Sequence, residues 1–383
     1  MLLLFLSCQR FENTSERKSS LTEIHNWFSI DLHVHSSIGS NDTDGLGTPE
    51  NILDVVELAG LDFIWLTDHS NSLGSMHCED VEDCPNEGPE WIEGDWPENI
   101  LMGVEISPRK ESSLESNGHV SCLPRQPSTF QNVIFTDRPF GSVDGANILE
   151  QCKNANGFRI LNHPFGPTPW VSFDWTSYDF EAVEIYNGSG GFDNSDYKAL
   201  EFWEQSIIEY AQNQKKLYLP IGSSDSHRWF TSPPGSVLDP AVGWPRTWVG
   251  NRHTGNQDIQ QSMILPLLEE GHILLGDPST SLSFFIENKT HKITAYSGDE
   301  ISKHTDNELV IRVDSVDEVD VEVRLLELGN QAFSTIFSQS VTERETEYRI
   351  PLDVSGYLYV RTLPEQIELG ARGFAMGNVI TIE

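Results

Sequence analysis

The stretch Ile30-Asp31-Leu32-His33-Val34-His35-Ser36 is the part of the sequence on which the predicted fold depends. Its pattern predicts a short buried strand that ends in two histidines. His33 and His35 are two residues apart, so on a strand their side chains point to the same face. Neutral imidazole is a preferred ligand of zinc and similar ions. A His-x-His pair alone is a weak signal, but at a strand end it predicts the beginning of a metal site.

Four later strand-like runs also end in residues that bind metals. They are Leu66-Thr67-Asp68-His69, Met102-Gly103-Val104-Glu105, Leu161-Asn162-His163-Pro164 and Gly222-Ser223-Ser224-Asp225-Ser226-His227. Strand and helix patterns alternate up to about residue 283, which predicts a parallel sheet. Ligands at the carboxyl ends of successive strands predict a closed or nearly closed barrel, because barrel sites form at that face.

Helix and strand boundaries are marked by local signals. Thr48-Pro49-Glu50 predicts a helix start with a hydroxyl N-cap, and Gly60 predicts its end. The apolar spacing over 197–212 predicts an amphipathic helix. After about residue 283, short β runs separated by polar turns predict an antiparallel sandwich. The expected domains are therefore a barrel over 26–283 and a β-sandwich over 284–383.

Composition excludes some classes of partner. The 383 residues carry 24 Lys and Arg and 59 Asp and Glu, a formal net charge of −35. A field this negative repels polyanions, so we expect no nucleic-acid partner and no binding to an anionic membrane surface. A small-molecule substrate and metal cations fit the charge, and the oligomeric state is left open.

The N-terminus and the cysteines predict export. Residues 1–8 resemble the tail of a secretory apolar region followed by a lipidated Cys8, although no basic residue precedes it and the apolar run is short. An ordinary hydrophobic N-terminus is the alternative. Residues 1–25 are then a leader and tether, and the expected location is periplasmic or an outer-membrane lipoprotein. Four other cysteines allow up to two disulfides. We expect a Cys78–Cys84 bridge, with a second metal site in that acidic loop as the alternative.

Six short motifs, taken in order, resemble those of the PHP (polymerase and histidinol phosphatase) superfamily. They are most similar to its bacterial branch of carbaryl-hydrolase-like metallohydrolases, over residues 30 to about 250. The resemblance implies a distorted, TIM-like (β/α)7 PHP barrel with two or three divalent ions, Zn, Mn or Fe. The motifs are Asp31-Leu32-His33-Val34-His35-Ser36, Thr67-Asp68-His69, Glu105, Gly118-His119, Asn162-His163-Pro164 and Ser224-Asp225-Ser226-His227.

The same resemblance implies a set of metal ligands for each ion. The first set is His33, His35, Glu105 and Asp225. Glu105 then bridges to a second ion bound by His119 and His163. A third ion takes His69, His227 and Asp44, with Asp42 as the alternative. Asp68 is expected to be structural.

The residue types predict hydrolysis by a metal-bound hydroxide, because adjacent divalent ions lower the pKa of bound water. The sequence contains no Gly-x-Ser-x-Gly elbow, Walker loop or dinucleotide fingerprint. Glu105, Asp225 and Arg228 are the predicted catalytic residues. Arg228, Arg246 and Asn187 are the predicted substrate contacts, against surface salt bridges for the arginines and a structural role for Asn187.

The predicted function is a metallo-phosphoesterase that acts on a small-molecule phosphomonoester or phosphodiester. One alternative is a carbamate, ester or amide hydrolase on the same metal centre. The other alternative is a non-catalytic protein that binds a surface or a carbohydrate.

Overall fold

The protein is described from a computed structural model, and it is a mixed α/β chain rich in strands. The described residues are 26–37, 39–40, 43–69, 97–106, 118–125, 145–166, 179–188, 191–212, 216–229, 241–252, 259–367 and 370–383. Their helices are α1 (Pro49–Ala59), α2 (Gly145–Asn154), α3 (Asn194–Ala211) and α4 (Gln261–Glu269).

Twenty strands lie in the same described ranges. The first ten are β1 (Asn26–Val34), β2 (Phe63–Leu66), β3 (Ile100–Met102), β4 (Val104–Ile106), β5 (Val120–Pro124), β6 (Gly157–Leu161), β7 (Ala182–Asn187), β8 (Leu219–Ser223), β9 (Arg246–Asn251) and β10 (Ile273–Gly276). The other ten are β11 (Thr280–Asn288), β12 (Ile293–Tyr296), β13 (Glu300–Ile301), β14 (Asn307–Ser315), β15 (Val319–Glu327), β16 (Ser334–Val341), β17 (Thr346–Pro351), β18 (Gly356–Pro364), β19 (Ala375–Gly377) and β20 (Ile380–Ile382).

The first half of the chain contributes strands to two sheets. β1, β2 and β3 are parallel, and β4-β5-β6-β7-β8 form a five-stranded sheet. In the latter, β6, β7 and β8 are parallel, but β5 is antiparallel to both of its neighbours. The predicted parallel arrangement is therefore present in β1-β2-β3 and β6-β7-β8 but is interrupted at β5. Because β5 is reversed, its amino end, which follows His119, lies at the same edge as the carboxyl ends of β6, β7 and β8.

The edges of these two sheets meet at the predicted site. Only Gly103 separates β3 from β4. On the other side, the Asp225 amide donates to the His33 carbonyl at 2.8 Å, and the His35 amide donates to the Ser226 carbonyl at 3.0 Å. These contacts bring the ends of β1, β4 and β8 together. A closed seven-stranded barrel stays a prediction.

The C-terminal strands extend the first sheet. An 11-stranded sheet runs β13-β20-β18-β19-β10-β9-β1-β2-β3, with β15 on β18 and β16 on β15. A second sheet, β12-β11-β14-β17, is antiparallel throughout. Side chains of both sheets, such as Phe284, Ile311, Val323 and Leu358, share one apolar cluster. β11 crosses the predicted boundary at residue 283, so the division into 26–283 and 284–383 stays a prediction.

Helix α1 begins and ends at the predicted residues, but the predicted hydroxyl cap is not formed. Ile52, Val55 and Val56 are its buried face. Gly60 ends it with φ 63°, a left-handed conformation that favours glycine. Thr48 occupies the N-cap position in an extended conformation, but its hydroxyl forms no capping hydrogen bond.

Helix α3 begins three residues earlier than the predicted 197, because Asp193 and Asp196 form a capping box at its amino end. Leu200, Trp203 and Ile207 are fully buried on its apolar face. Burial of each such side chain contributes roughly 1.5–3 kcal/mol. The Trp203 ring packs edge-on against Tyr359 of β18 with centroids 5.1 Å apart, so α3 packs against the C-terminal strands.

A disulfide joins Cys122 of β5 to Cys152 of α2, and both cysteines are buried. The expected Cys78–Cys84 bridge lies outside the described residues, as do Cys8, the 1–25 leader and Asp42. Among the described helices, none combines the length and the apolar character that crossing a membrane requires.

Candidate metal centre

Glu105 is the centre of a buried cluster of imidazoles. It lies in the middle of β4 and is fully buried. Its Oε1 lies 2.8 Å from His119 Nδ1, 3.1 Å from His33 Nε2 and 3.4 Å from His163 Nε2. Its Oε2 lies 2.7 Å from His69 Nδ1 and 3.7 Å from His35 Nε2. The two oxygens of one carboxylate therefore face five histidines.

Asp225 is a second carboxylate that approaches the β1 histidines. Its Oδ1 is 3.2 Å from His33 Nε2 and 3.1 Å from His35 Nε2. Asp225 has φ 53°, and His163 has φ 27°. Positive φ is unfavourable for residues with a side chain, and such strain is concentrated at functional sites. The chain thus holds two predicted ligands in conformations that it rarely adopts elsewhere.

The structure brings together eight of the nine predicted metal ligands. They form four overlapping groups, and within each group the donor atoms lie within 4.8 Å of one another. The groups are His33-His35-Asp225, His33-Glu105-His163, His69-Glu105-His119 and His35-His69-His227. His119 and His163 thus fall in separate groups, where a shared second ion had been predicted.

The donor set fits divalent metal ions. His33 and His35 direct their Nε2 atoms at each other at 3.2 Å, and His69 and His227 do so at 3.4 Å. Nitrogen lone pairs repel at such distances unless a proton or a cation lies between them. Imidazole and carboxylate together suit Zn, Mn or Fe. The buried histidine and carboxylate groups can therefore bind metal ions, and nothing in the donor types selects one metal.

Electrostatics favour the metal-binding form of several groups. Burial, together with the neighbouring His227 and His69, lowers the pKa of His35 well below its usual range. Burial opposes the charge of Glu105, but the imidazoles of His119 and His33 outweigh it and hold the pKa of Glu105 well below its usual range. A neutral imidazole and an ionised carboxylate are the forms that coordinate metals.

His33 and Asp225 form a coupled pair. Burial alone lowers the pKa of His33, but the charges of Asp225 and Glu105 raise that pKa well above its usual range. Burial likewise opposes the charge of Asp225, yet His33 and His35 hold the pKa of Asp225 well below its usual range. A cation in this position would replace the proton that His33 otherwise retains.

Two buried side chains that hold the cluster had no predicted role. Glu184 accepts from Ser223 Oγ at 2.5 Å and lies 3.2 Å from His33 Nδ1. Asn162 donates from Nδ2 to Glu105 Oε1 at 2.8 Å. Asn162 belongs to a quoted motif, and Glu184 is a single acid within the apolar run of β7. An acid inside an otherwise apolar strand was the sequence signal for Glu184.

Asn187 and Asp68 support the site from either side. Asn187 donates from Nδ2 to Asp225 Oδ2 at 3.1 Å, so this predicted substrate contact holds a predicted ligand. Asp68 accepts from the amide and hydroxyl of Ser36, both at 2.6 Å, and from the Ser40 hydroxyl at 2.8 Å. Asp68 therefore holds the loop after His35, as its expected structural role requires.

Asp44 is the predicted ligand that the structure does not place in the cluster. Its Oδ2 accepts from the Trp229 amide at 3.1 Å, and its Oδ1 accepts from the Leu46 amide at 2.9 Å. Its own amide donates to the His227 carbonyl at 3.2 Å. Asp44 thus holds the loop that carries His227 and is absent from all four groups of described residues.

The two predicted arginine contacts differ in their positions. Arg246 is 6% exposed, and its guanidinium donates to the carbonyls of Gly243 at 2.8 Å, Ala59 at 2.9 Å and Gly60 at 3.4 Å. It therefore binds the carboxyl end of α1, and the prediction of a substrate contact is corrected. Arg228 is exposed and directly follows His227 in the chain, so its role as a substrate contact stays a prediction.

Comparisons with solved structures find several distant neighbours of this chain. The chain is similar to a two-domain protein containing predicted PHP-like metal-dependent phosphoesterase from Bacteroides vulgatus, at 14% identity and a TM-score of 0.39, over 94% of this chain and 95% of that chain. It is also similar to PsfC from Pseudomonas syringae, at 17% identity and a TM-score of 0.36, over 61% of this chain and 86% of that chain. No family model and no curated protein match the sequence. Both neighbours have low identities and TM-scores, so neither assigns a function to this chain.

Proposed function

We propose that this protein is a PHP-type metal-dependent hydrolase that cleaves a phosphoester of a small molecule. The observation that carries the proposal is the cluster of six histidines around Glu105 and Asp225, in which Glu105 and four of the histidines are buried. The proposal includes a role as a metal ligand for each of these residues.

The chain's residues supply binding and orientation. Glu105 turns one oxygen to His33, His119 and His163 and the other to His69 and His35. Divalent ions held by these groups would activate a water molecule and neutralise the charge that develops on the substrate oxygen.

A phosphoester substrate also requires a fixed cation. Arg228 is exposed and directly follows His227 in the chain, and a planar guanidinium matches two phosphate oxygens. Arg228 is therefore the residue that favours a phosphoester substrate over a neutral one.

Carbamate, ester or amide hydrolysis on the same centre is the second candidate. Arg246, the other arginine expected to bind phosphate, donates to the end of α1 instead. A neutral carbonyl substrate needs fewer fixed cations, so this observation favours the second candidate.

We also propose that the protein is exported. The Cys122–Cys152 disulfide supports export, because structural disulfides persist in oxidising compartments. The net charge of −35 continues to argue against a nucleic-acid partner.

The experiment that tests the proposed activity compares p-nitrophenyl phosphate, bis-p-nitrophenyl phosphate and a p-nitrophenyl carbamate. We expect chelator-sensitive turnover of a phosphoester that returns when metal is added back. Arg228→Ala is expected to lower kcat/KM for the phosphoester about tenfold or more, and to leave any carbamate turnover unchanged. Turnover of the carbamate alone would establish the second candidate. Bound metal without any turnover would favour a non-catalytic binding protein.

A further inference from the structure

Glu184 is the one acidic side chain of β7, within the run Ala182-Val183-Glu184-Ile185-Tyr186, and this segment is buried. We propose that Glu184 is a positioning residue that fixes the ring proton of His33 on Nδ1 and the backbone of His163. The inference rests on the proposed function, because it concerns two of the proposed metal ligands.

Four groups surround the Glu184 carboxylate, and all four can donate to it. Oε1 lies 3.2 Å from His33 Nδ1 and accepts from Ser223 Oγ at 2.5 Å. Oε2 accepts from the His163 amide at 2.7 Å and from Asn187 Nδ2 at 3.0 Å. An ionised carboxylate only accepts hydrogen bonds, so it matches this set of donors.

The contact with His33 determines which nitrogen faces the centre. A proton on Nδ1 that is donated to Glu184 leaves the Nε2 lone pair for a metal. Nε2 is also the atom that points at Glu105 Oε1, at 3.1 Å, and at Asp225 Oδ1, at 3.2 Å. Acceptors of this kind fix the tautomer of metal-binding histidines and raise their basicity.

The same carboxylate connects three elements of the site. His33 is the second-last residue of β1, His163 follows β6, and Asn187 ends β7 and donates in turn to Asp225 Oδ2 at 3.1 Å. Glu184 therefore acts on His33 and His163 directly, and on Asp225 through Asn187. A residue that only filled space in β7 would not need these polar contacts.

Glutamine at this position has a specific expected effect. The His163 amide can only donate, so the glutamine carbonyl must remain on that side. Its NH₂ group then faces His33, whose Nδ1 must become an acceptor and whose proton moves to Nε2. That proton points at the metal centre and competes with the ion for the same nitrogen.

The test is calorimetric titration of Zn²⁺ into the full chain after chelation and dialysis at neutral pH. Glu184→Gln is expected to weaken zinc binding about 10- to 100-fold. In the zinc-loaded chain labelled with ¹⁵N-histidine, NMR is expected to show a hydrogen-bonded Nδ1–H of His33 that the variant lacks. A purely structural role for Glu184 would not change this signal.

Asp277→Asn is the matched control. Asp277 is a buried carboxylate that accepts from the Ser279 and Gly373 amides at 2.9 and 2.6 Å, at the end of β10. Its variant is expected to bind zinc as the wild type does.

The outcomes separate the two proposals. A wild-type chain that binds no zinc or Mn²⁺ overturns the proposed function and this inference with it. A wild-type chain that binds zinc, with equal affinity and the same Nδ1–H signal in Glu184→Gln, overturns this inference alone. If Glu184→Gln does not fold, Glu184→Asp replaces it, because it keeps two acceptors but withdraws them by one methylene group. A weakening of zinc binding by about tenfold is then expected, and unchanged affinity overturns the inference.

Discussion

Removal of the Cys122–Cys152 disulfide is expected to destabilise the protein by an amount that follows from the loop it closes. The two cysteines are 30 residues apart in the sequence. Closing a loop of this length lowers the entropy of the unfolded chain by about 12 cal/mol/K, which corresponds to about 3.6 kcal/mol at room temperature. Both sulfurs are buried, so alanine substitution also removes packing.

The experiment is a double-mutant cycle of Cys122→Ala, Cys152→Ala and the double variant. The free energy of unfolding of each chain is measured in urea with and without a reductant. Either single substitution already opens the loop, so each is expected to cost most of the full amount. The double variant is then expected to cost much less than the sum of the singles. Reductant is expected to destabilise the wild type more than any of the three variants, in which only the expected Cys78–Cys84 bridge remains to be reduced.

Tryptophan fluorescence and near-UV circular dichroism give two probes of the same transition. Additive effects of the two single variants, together with a wild type that is insensitive to reductant, would show that the cysteines are not joined. The support for export would be lost with that result.

Two further predictions concern buried charges outside the cluster. Arg246→Ala is expected to lower the free energy of unfolding by about 3 kcal/mol, because it removes charged hydrogen bonds from the end of α1, and to leave KM unchanged. A raised KM with unchanged stability would return Arg246 to substrate binding. Burial raises the pKa of Asp277 from 3.8 to about 6. The folded chain therefore binds the proton more tightly, so the Asp277 contribution to stability falls by about 3 kcal/mol as pH rises from about 4 to about 6. Urea unfolding across this range is expected to show the free energy of unfolding of the wild type falling with pH relative to that of Asp277→Asn, and a constant or rising relative stability would refute the assignment.

Local signals in the sequence predicted much of the fold. Helix α1 depends on Thr48-Pro49 and Gly60, which are adjacent to it in the chain, and the structure confirms its bounds. The same-side placement of His33 and His35 follows from the two-residue repeat of a strand. Such features depend on neighbours in sequence, so one sequence suffices to predict them.

Other features depend on contacts between distant segments. The reversed direction of β5 is set by its pairing with β4 and β6, and no residue within the strand signals it. Arg246 was placed at the site by its chemistry, but 186 residues separate it from Gly60, whose carbonyl it contacts. Asp44 has the right chemistry for a ligand, yet its carboxylate accepts from the amides of Trp229 and Leu46 instead. Residue type alone does not distinguish these uses.

The central claim is that the residues around Glu105 bind divalent metal ions, and the most direct measurement is elemental analysis of the full chain beside Glu105→Gln. The variant keeps the shape of the side chain and the acceptor for Asn162, but it removes the charge that faces five histidines. Near-UV circular dichroism checks that both chains are folded.

After reconstitution and removal of free metal, we predict two or three divalent ions in each wild-type chain and at least one fewer in Glu105→Gln. A wild-type chain that holds no divalent ion after reconstitution, or a folded Glu105→Gln chain with the same metal content as the wild type, would contradict the claim.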